Sequence, residues 1–383
     1  MSGNQRIPGS RPACHNYSAN QFGQGSVARP GDAQTMYMGE IVNEDGQRWE
    51  LGLKGAGKME SWGKGDGRQV LRNGIREFLS CEALHALGVP TVRAVAITTS
   101  STVAVRDVFA IGEPAEERCC VQALVAQTFL RFGSLQMLGS KSDESKSRDD
   151  IDALESLLVF VIDSCFPDIK VPPAADGEGK EGRMREMCTK FLQQVTLLTA
   201  QLVAKWQAAG FCHGLLNTDN MGITGQTIEC GMSGFMEVFD PSWACNPSDD
   251  TGRYSYAAQP DVCRYNLAKL GEALEPLLPR RDAEEQLERF DAEYSKAYLN
   301  LFRRKLGLLT IVAAQEKLDA AEKRGDADEA RDQRLIIDQM ADAANGDTKL
   351  VADLLQVNVH PISQIPKPPN PTVNPKHLRF QCA

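Results

Sequence analysis

The 383-residue sequence lacks several features that would assign a protein to a class at once. It contains no run of about eighteen apolar residues, so a transmembrane helix is not expected. Its first residues include neither the apolar segment of a secretory signal peptide nor a long Arg- and Ser-rich amphipathic start. The sequence also has no internal repeat. We therefore expect no membrane span, and no targeting segment is visible.

The sequence also lacks closely spaced cysteine pairs and an excess of basic residues. The eleven cysteines form no C-x-x-C pair and have no regular spacing, which is typical of reduced thiols rather than of a disulfide framework. The net charge of -9 and the pI near 5.3 argue against a general nucleic-acid binder. Apolar residues at 42% and charged residues at 24% predict a globular protein, either of two domains or of one domain with two lobes.

The first half of the sequence predicts a β-rich region followed by one helix. Alternating residues over 35–42 and 48–54 indicate a β-hairpin whose second strand ends at Lys54. A Gly-rich loop follows; it is either a phosphate-binding loop or, more simply, a linker. Apolar residues at helical spacing predict a helix over 70–87, with Glu77 near its middle. Further strands are predicted over 92–98, 102–107 and 121–127.

The order of these parts is informative. A lysine at the end of a strand, a Gly-rich loop and a glutamate in the middle of a helix are the parts of a protein-kinase small lobe. There, the Lys–Glu ion pair fixes the ATP phosphates. The rest of the sequence predicts helices, over 151–165, 184–209, 261–277, 283–306 and 311–345, and then a Pro-rich tail over 361–375 that we expect to be poorly ordered.

The segment from residue 211 to 231 has the composition of a site. Asp219, Asn220 and Glu229 carry oxygen ligands, which a hard cation such as Mg²⁺ prefers. The three side chains could meet if the short apolar piece after Asn220 folds back as a hairpin. The alternative is an Asn- and Asp-rich turn whose side chains bond only the local backbone.

Several motifs of this sequence resemble those of the selenoprotein O family, over residues 20 to about 310. The motifs are Asn20-Gln-Phe-Gly, Leu53-Lys-Gly-Ala-Gly, Gly65-Asp-Gly-Arg-Gln-Val-Leu-Arg, Ile75-Arg-Glu-Phe-Leu, His213-Gly-Leu-Leu-Asn-Thr-Asp-Asn-Met and Gly252-Arg-Tyr-Ser-Tyr. Family members are typically longer at both ends, so we expect this chain to be a truncated version or the product of an incomplete gene model. Animal members are mitochondrial and bacterial ones cytoplasmic, which implies a mitochondrial location if the source is eukaryotic.

The resemblance implies an α+β, protein-kinase-like fold that works as a protein adenylyltransferase. ATP and Mg²⁺ or Mn²⁺ are its expected cofactors, and proteins with Ser, Thr or Tyr hydroxyls its expected substrates. The predicted parts are a loop-rich segment (1–34), a small lobe (35–135), a helical large lobe (136–310) and a charged helix with a Pro-rich tail (311–383).

The resemblance also assigns roles to individual residues. Lys54 matches the phosphate-binding lysine and Glu77 its ion-pair partner. Asp219 matches the proposed proton acceptor. The other matches are the nucleotide-contacting residues Gly31, Asp66, Gly67 and Arg131, and the metal ligands Asn220 and Glu229, the latter also expected beside the nucleotide.

The sequence departs from the family pattern at four positions. A glycine and a phosphate-facing arginine are replaced by Ala33 and Gln34, and a second nucleotide-binding arginine by Leu124. Glu229 stands where the family has a metal-binding aspartate. These departures motivate an alternative, a catalytically impaired pseudokinase that binds nucleotide or a partner protein. Two further alternatives are ordinary phosphotransfer and a chain that does not fold stably by itself.

Overall fold

The computed structural model of the protein describes most of the chain, namely residues 12–20, 26–29, 34–58, 66–107, 112–139, 147–170, 179–306 and 309–343. The Pro-rich tail and the departure at Ala33 lie outside these residues. The fold is mixed α+β, with a small β-rich N-terminal region and a helical C-terminal region. The chain divides into two compact units, residues 1–301 and residues 302–383. The predicted lobe boundaries at 34, 135 and 310 stay predictions.

A five-stranded antiparallel sheet forms the centre of the β-rich region. One strand of this sheet pairs with three others, so the sheet is organised around this shared strand. The strands are β3 (Thr35–Val42), β4 (Arg48–Lys54), β5 (Gln69–Val70), β6 (Arg93–Arg106) and the shared strand β7 (Ala115–Ala126), numbered after a separate N-terminal pair, β1 (Tyr17–Asn20) and β2 (Ser26–Arg29).

The predicted hairpin is confirmed as β3 and β4, and Lys54 ends β4 as expected. The two strands predicted over 92–98 and 102–107 are instead one strand, β6. Its register against β7 shifts between Thr99 and Val103, so a bulge bends the strand without ending it. The N-terminal pair was not predicted, because four-residue strands give too short an alternation to distinguish from loop.

The predicted first helix is confirmed as α1 (Leu71–Ala86), but only Leu84 of its apolar stripe is fully buried. Ile75 and Leu79 are exposed, whereas Glu77 is fully buried and Gly74 lies against the sheet. A Cβ on Gly74 would come within 2.3 Å of the Cys120 sulfur, so only glycine permits this approach. Small residues therefore bring Glu77 to the sheet, and periodicity alone predicted this buried face only at Leu84.

The C-terminal part of the first unit is built from helices. They are α2 (Phe132–Gly139), α3 (Arg148–Cys165), α4 (Lys180–Ala209), α5 (Gln259–Ala273), α6 (Arg280–Leu287) and α7 (Arg289–Lys305), of which α7 runs into the second unit. Helix α4 buries Phe191 and Trp206 on one face, as predicted. It ends at Gly210, whose φ of 69° is the left-handed conformation that glycine adopts readily at a helix C-terminus.

The second unit holds a helical pair, α8 (Leu309–Arg324) and α9 (Ala327–Ala343), instead of one continuous helix over 311–345. Gly325, with φ of 73°, turns the chain between them. Leu318, Ala321 and Ala330 form a small apolar core. The pair is therefore packed on one side and charged on the other. None of the described helices is both long and apolar enough for a membrane span.

Helices α2 and α5 meet at Gly139. A Cβ on this residue would lie 1.8 Å from the carbonyl oxygen of Ala273, which is backbone and cannot move aside. We expect Gly139→Ala to lower the free energy of unfolding by about 2–3 kcal/mol, measured by urea denaturation. Gly231→Ala is the control, because nothing lies within 4 Å of its Cβ position. Equal effects of the two substitutions would contradict this close contact.

Candidate active site

Lys54 lies at the centre of the candidate site and is only 3% exposed. The pairing of β4 with β7 fixes its backbone, since Lys54 lies opposite Gln122. Its ammonium contacts two carboxylates, Glu77 Oε1 at 3.0 Å and Glu229 Oε2 at 2.5 Å. A lysine this deeply buried is stable in its charged form only with such partners.

Glu77 reaches Lys54 from α1. Its other carboxylate oxygen, Oε2, accepts a hydrogen bond of 2.8 Å from the side-chain amide of Gln69. Burial raises the pKa of Glu77, and the charge of Lys54 opposes this rise. With one oxygen on Lys54 and the other on Gln69, the carboxylate has a single well-defined orientation.

Arg131 follows β7 and connects two parts of the site. Its Nη1 donates to the backbone carbonyl of Asp219 at 2.8 Å, and its Nη2 to Glu229 Oε1 at 3.0 Å. The guanidinium also lies over the ring of Tyr17, 5.0 Å from its centroid, in a cation–π contact. One buried guanidinium thus holds the loop of Asp219, the carboxylate of Glu229 and the N-terminal strand β1.

Glu229 has an unusual backbone. Its φ of 60° and ψ of 51° are left-handed, and within the described part of the chain it is the one non-glycine residue with a positive φ. Burial alone would raise the pKa of Glu229, but the positive charges of Lys54 and Arg131 outweigh burial and lower this pKa to about 2. The side chain is therefore an ionised carboxylate shared by two cations.

Asp219 and Asn220 lie in a short 3-10 helix, Thr218–Asn220, and both are 6% exposed. After Asn220 the chain folds back as expected, with Met221 and Thr227 paired as an antiparallel bridge. This turn brings Glu229 back toward the loop of Asp219. The segment after Asn220 thus folds back as a hairpin, which is the condition predicted from the sequence for Asp219, Asn220 and Glu229 to share a site.

Buried amide side chains hold the loop that carries Asp219. Gln259 binds both sides of Cys212, accepting from the His213 backbone N–H at 2.8 Å and donating to the Phe211 carbonyl at 2.9 Å. Asn246 donates to Gly214 O and Asn266 to Leu216 O, each at 2.9 Å. These bonds satisfy loop carbonyls that would otherwise be buried without donors. The loop is consequently fixed before any ligand binds.

His213 connects this loop to the segment that carries Glu229. It is fully buried, and its Nε2 lies 2.8 Å from the carbonyl oxygen of Ile228, next to Glu229. Burial lowers the pKa of His213 to about 4. The neutral ring therefore connects the loop of Asp219 to that of Glu229.

Asn220 and Glu229 fit a hard cation by the chemistry of their donors. The amide nitrogen of Asn220 donates to Leu215 O at 2.9 Å, so its oxygen is the atom suited to a metal. In the residues that the structure describes, no group of three or more His, Cys, Asp or Glu side chains could hold a metal ion. Two oxygen donors are fewer than Mg²⁺ takes, and sites with so few are completed by water and substrate phosphates.

The remaining predicted site residues lie apart from this cluster or outside the described residues. Asp66 accepts hydrogen bonds from the Arg68 backbone at 2.9 Å and from Arg106 at 2.8 Å, and Gly67 has a left-handed φ of 67°. Gly31 falls in a segment that the structure does not describe. The cluster therefore joins Lys54, Glu77, Arg131, Asp219 and Glu229, with Asn220 adjacent in sequence.

Two of the departures have clear positions. Leu124 is buried in β7, where its backbone lies opposite Gly52 and Ala94. Gln34 donates from its side chain to the carbonyl of Arg68 at 3.2 Å, and its own carbonyl accepts from Gly55 N at 2.8 Å. Gln34 thus connects the two ends of the Gly-rich loop.

Three residues of the site were assigned no role from the sequence, although Gln69 lies within one of the family-like motifs and Gln259 follows another. Gln69 stands in a two-residue strand, Tyr17 in a four-residue one, and Gln259 begins a helix 46 residues after His213. Their roles depend on contacts across the fold rather than on local pattern. The signals that could have indicated Gln69 were the family-like motif that contains it and its position two residues before the helix of Glu77.

Comparison with known proteins relates this chain to nucleotidyl-transferring enzymes. The sequence model of the family described as Protein adenylyltransferase SelO matches residues 2–348, and the chain belongs to this family. The predicted resemblance is thereby confirmed.

Individual relatives agree. The chain is 48% identical over 318 residues to "Protein adenylyltransferase SelO, mitochondrial" of Homo sapiens, covering 81% of this chain and 46% of the human protein. It is 38% identical over 309 residues to "Protein nucleotidyltransferase YdiU" of Methylobacillus flagellatus, covering 80% of this chain and 56% of that protein. The chain therefore spans about half the length of these relatives.

The Lys54–Glu77 pair has a measurable energetic signature. Lys54→Met leaves Glu77 buried beside Glu229 without its cation, so we expect a loss of about 3–5 kcal/mol in the free energy of unfolding. Adding Glu77→Gln should restore part of this loss, with a coupling energy above about 1 kcal/mol in a urea-unfolding double-mutant cycle. Arg93→Met with Glu82→Gln, a more exposed pair, is the control and should couple by less. Additive effects at Lys54 and Glu77 would refute the pairing.

His213 makes stability depend on pH. Because its folded pKa of about 4 lies below the unfolded value near 6.5, the unfolded state binds more protons between these pH values. The contribution of neutral His213 to the free energy of unfolding is therefore fully present above about pH 6.5. It falls by up to about 3 kcal/mol as the pH decreases toward 4.

Urea unfolding at several pH values tests this effect against the carboxylates, which titrate in the same direction. Between pH 6.5 and 4, the slope of the free energy of unfolding against pH reports how many more protons the unfolded state binds. His213→Gln should reduce this number by about one. Identical slopes for wild type and His213→Gln would mean that His213 does not stay neutral.

Proposed function

We propose that this protein transfers AMP from ATP to the hydroxyl groups of Ser, Thr or Tyr side chains in other proteins. The observation that carries the proposal is the buried cluster in which Lys54 and Arg131 both bind Glu229, beside Asp219. Membership of a family described as protein adenylyltransferases supports it, as do the names of the human and bacterial relatives.

The fold that we propose is protein-kinase-like, with residues 35–135 as the small lobe and 136–310 as the helical large lobe. Its support is the ion pair between a strand lysine and a helix glutamate. Kinases use the same pair to fix the phosphates of ATP. In the proposed orientation ATP is reversed relative to kinases, so that its α-phosphorus faces the acceptor.

Nucleotide binding depends mainly on charge in this proposal. Lys54 and Arg131 neutralise phosphate oxygens, and Glu77 holds the Lys54 ammonium in position. Gly31, Asp66 and Gly67 contact the nucleotide from the Gly-rich segments. Fixed cations in a water-poor cleft stabilise transferring charge without having to reorganise during the reaction.

The transfer itself needs one base. The Asp219 carboxylate accepts the proton of the acceptor hydroxyl as its oxygen bonds to the α-phosphorus, and the bond from this phosphorus to the α,β-bridging oxygen breaks. Pyrophosphate leaves, and the product is an AMP–protein phosphodiester. Mg²⁺ or Mn²⁺ held by Asn220 and Glu229 would supply further neutralisation of phosphate charge.

Labelled ATP tests this function. Purified protein is incubated with Mg²⁺ or Mn²⁺, a mixed protein extract and ATP labelled on either the α- or the γ-phosphate. We expect protein-bound label only from the α position. Asp219→Ala should reduce it by about a hundred-fold or more, because the base is lost.

The control is Asp261→Asn, which changes an exposed carboxylate on α5 and should leave the rate unchanged. Label only from the γ position would make the protein a kinase and refute the reversed ATP. No label from either position, with a cooperatively unfolding protein, would favour the pseudokinase alternative.

A further inference from the structure

The two cations proposed to bind phosphate are already bound to a carboxylate. Glu229 Oε2 lies 2.5 Å from Lys54 Nζ, and Glu229 Oε1 lies 3.0 Å from Arg131 Nη2. The two oxygens of one carboxylate thus take the places that two phosphate oxygens would take. Lys54 and Arg131 are balanced by Glu229 and Glu77, so this part of the site carries no net charge.

The backbone aims Glu229 at these cations. Its left-handed conformation is unfavourable for a residue with a Cβ, so neighbouring contacts must hold it. On one side, the carbonyl of Ile228 is bound by the buried His213; on the other, Cys230 is fully buried. The position of the carboxylate is consequently imposed by the fold rather than by a freely rotating side chain.

We propose that Glu229 is a specificity-determining residue that makes the site select metal-bound over metal-free polyphosphate. A free polyphosphate has to break both ion pairs of Glu229 and leaves its charge next to the phosphates. A polyphosphate that arrives with a divalent cation gives this carboxylate a new partner. The inference rests on the proposed function only in that the site takes the polyphosphate of a nucleotide.

The length of the side chain matters for this role. From the same backbone, an aspartate is one methylene shorter and cannot keep both contacts at hydrogen-bond distance. Glu229→Asp should therefore release at least one cation while retaining a charged metal ligand. Glu229→Gln removes the charge and keeps the length.

The experiment measures the binding of inorganic tripolyphosphate to the full chain by calorimetry, in EDTA and in Mg²⁺. In EDTA we expect Glu229→Gln and Glu229→Asp to bind about ten-fold or more tightly than wild type, since a competing charge-assisted bond is removed. The control, Glu82→Gln, removes a carboxylate on α1 that pairs with Arg93 and should match wild type. Wild type should bind much more tightly when Mg²⁺ is present.

Equal affinity of wild type and both variants in EDTA would overturn the inference. If the variants unfold, the wild-type measurement alone decides, because equal affinity for tripolyphosphate with and without Mg²⁺ would also overturn it. A different result would refute the proposed function. Tighter variant binding in EDTA, together with no AMP transfer from α-labelled ATP, would keep the inference and refute adenylylation.

Discussion

The site depends on one physical constraint, the cost of taking the Lys54 ammonium out of water. A buried cation is tolerated only when opposite charge and hydrogen bonds replace its hydration. Glu77 supplies this from a helix and Glu229 from a loop far along the chain. The second carboxylate in turn binds Arg131 through its other oxygen, and the Arg131 guanidinium, only 3% exposed, needs this partner. Each charge thus requires the next, and together they join the sheet to the helical region.

Neutral hydrogen bonds make this charged cluster rigid. Gln69 fixes the orientation of Glu77, and Gln259, Asn246 and Asn266 bind the backbone of the loop before Asp219. Amide side chains suit this task because each can donate and accept without adding charge. These amide side chains therefore orient the cluster without changing its net charge. A loop fixed in this way does not have to be ordered by its ligand.

Much of the fold follows from local sequence. Alternation predicted β3 and β4 with Lys54 at the strand end, and the helical period predicted α1 and α4. What local pattern could not give is contact between distant residues. Lys54 and Glu229 are 175 positions apart, and no spacing rule connects them. Most of the buried face of α1 was also missed, because apart from Leu84 it is formed by small residues such as Gly74 and by Glu77 rather than by large apolar side chains. Candidate residues and the Lys54–Glu77 pair could thus be named from motifs, whereas the contacts of Glu229 with Lys54 and Arg131 required the fold.

The contact between Arg131 and Tyr17 has a practical consequence for anyone who shortens this protein. Strand β1 packs so closely against α2 that a Cβ on Gly133 would come within 2.3 Å of the Ser18 carbonyl and 3.4 Å of the Asp219 Cα. A recombinant version that starts at the central sheet, near Thr35, would keep every charged member of the cluster. It would nevertheless remove the aromatic face beneath Arg131 and open the side of the site next to Asp219. The first strand pair is therefore part of the structure that surrounds the site rather than a dispensable extension of the sheet.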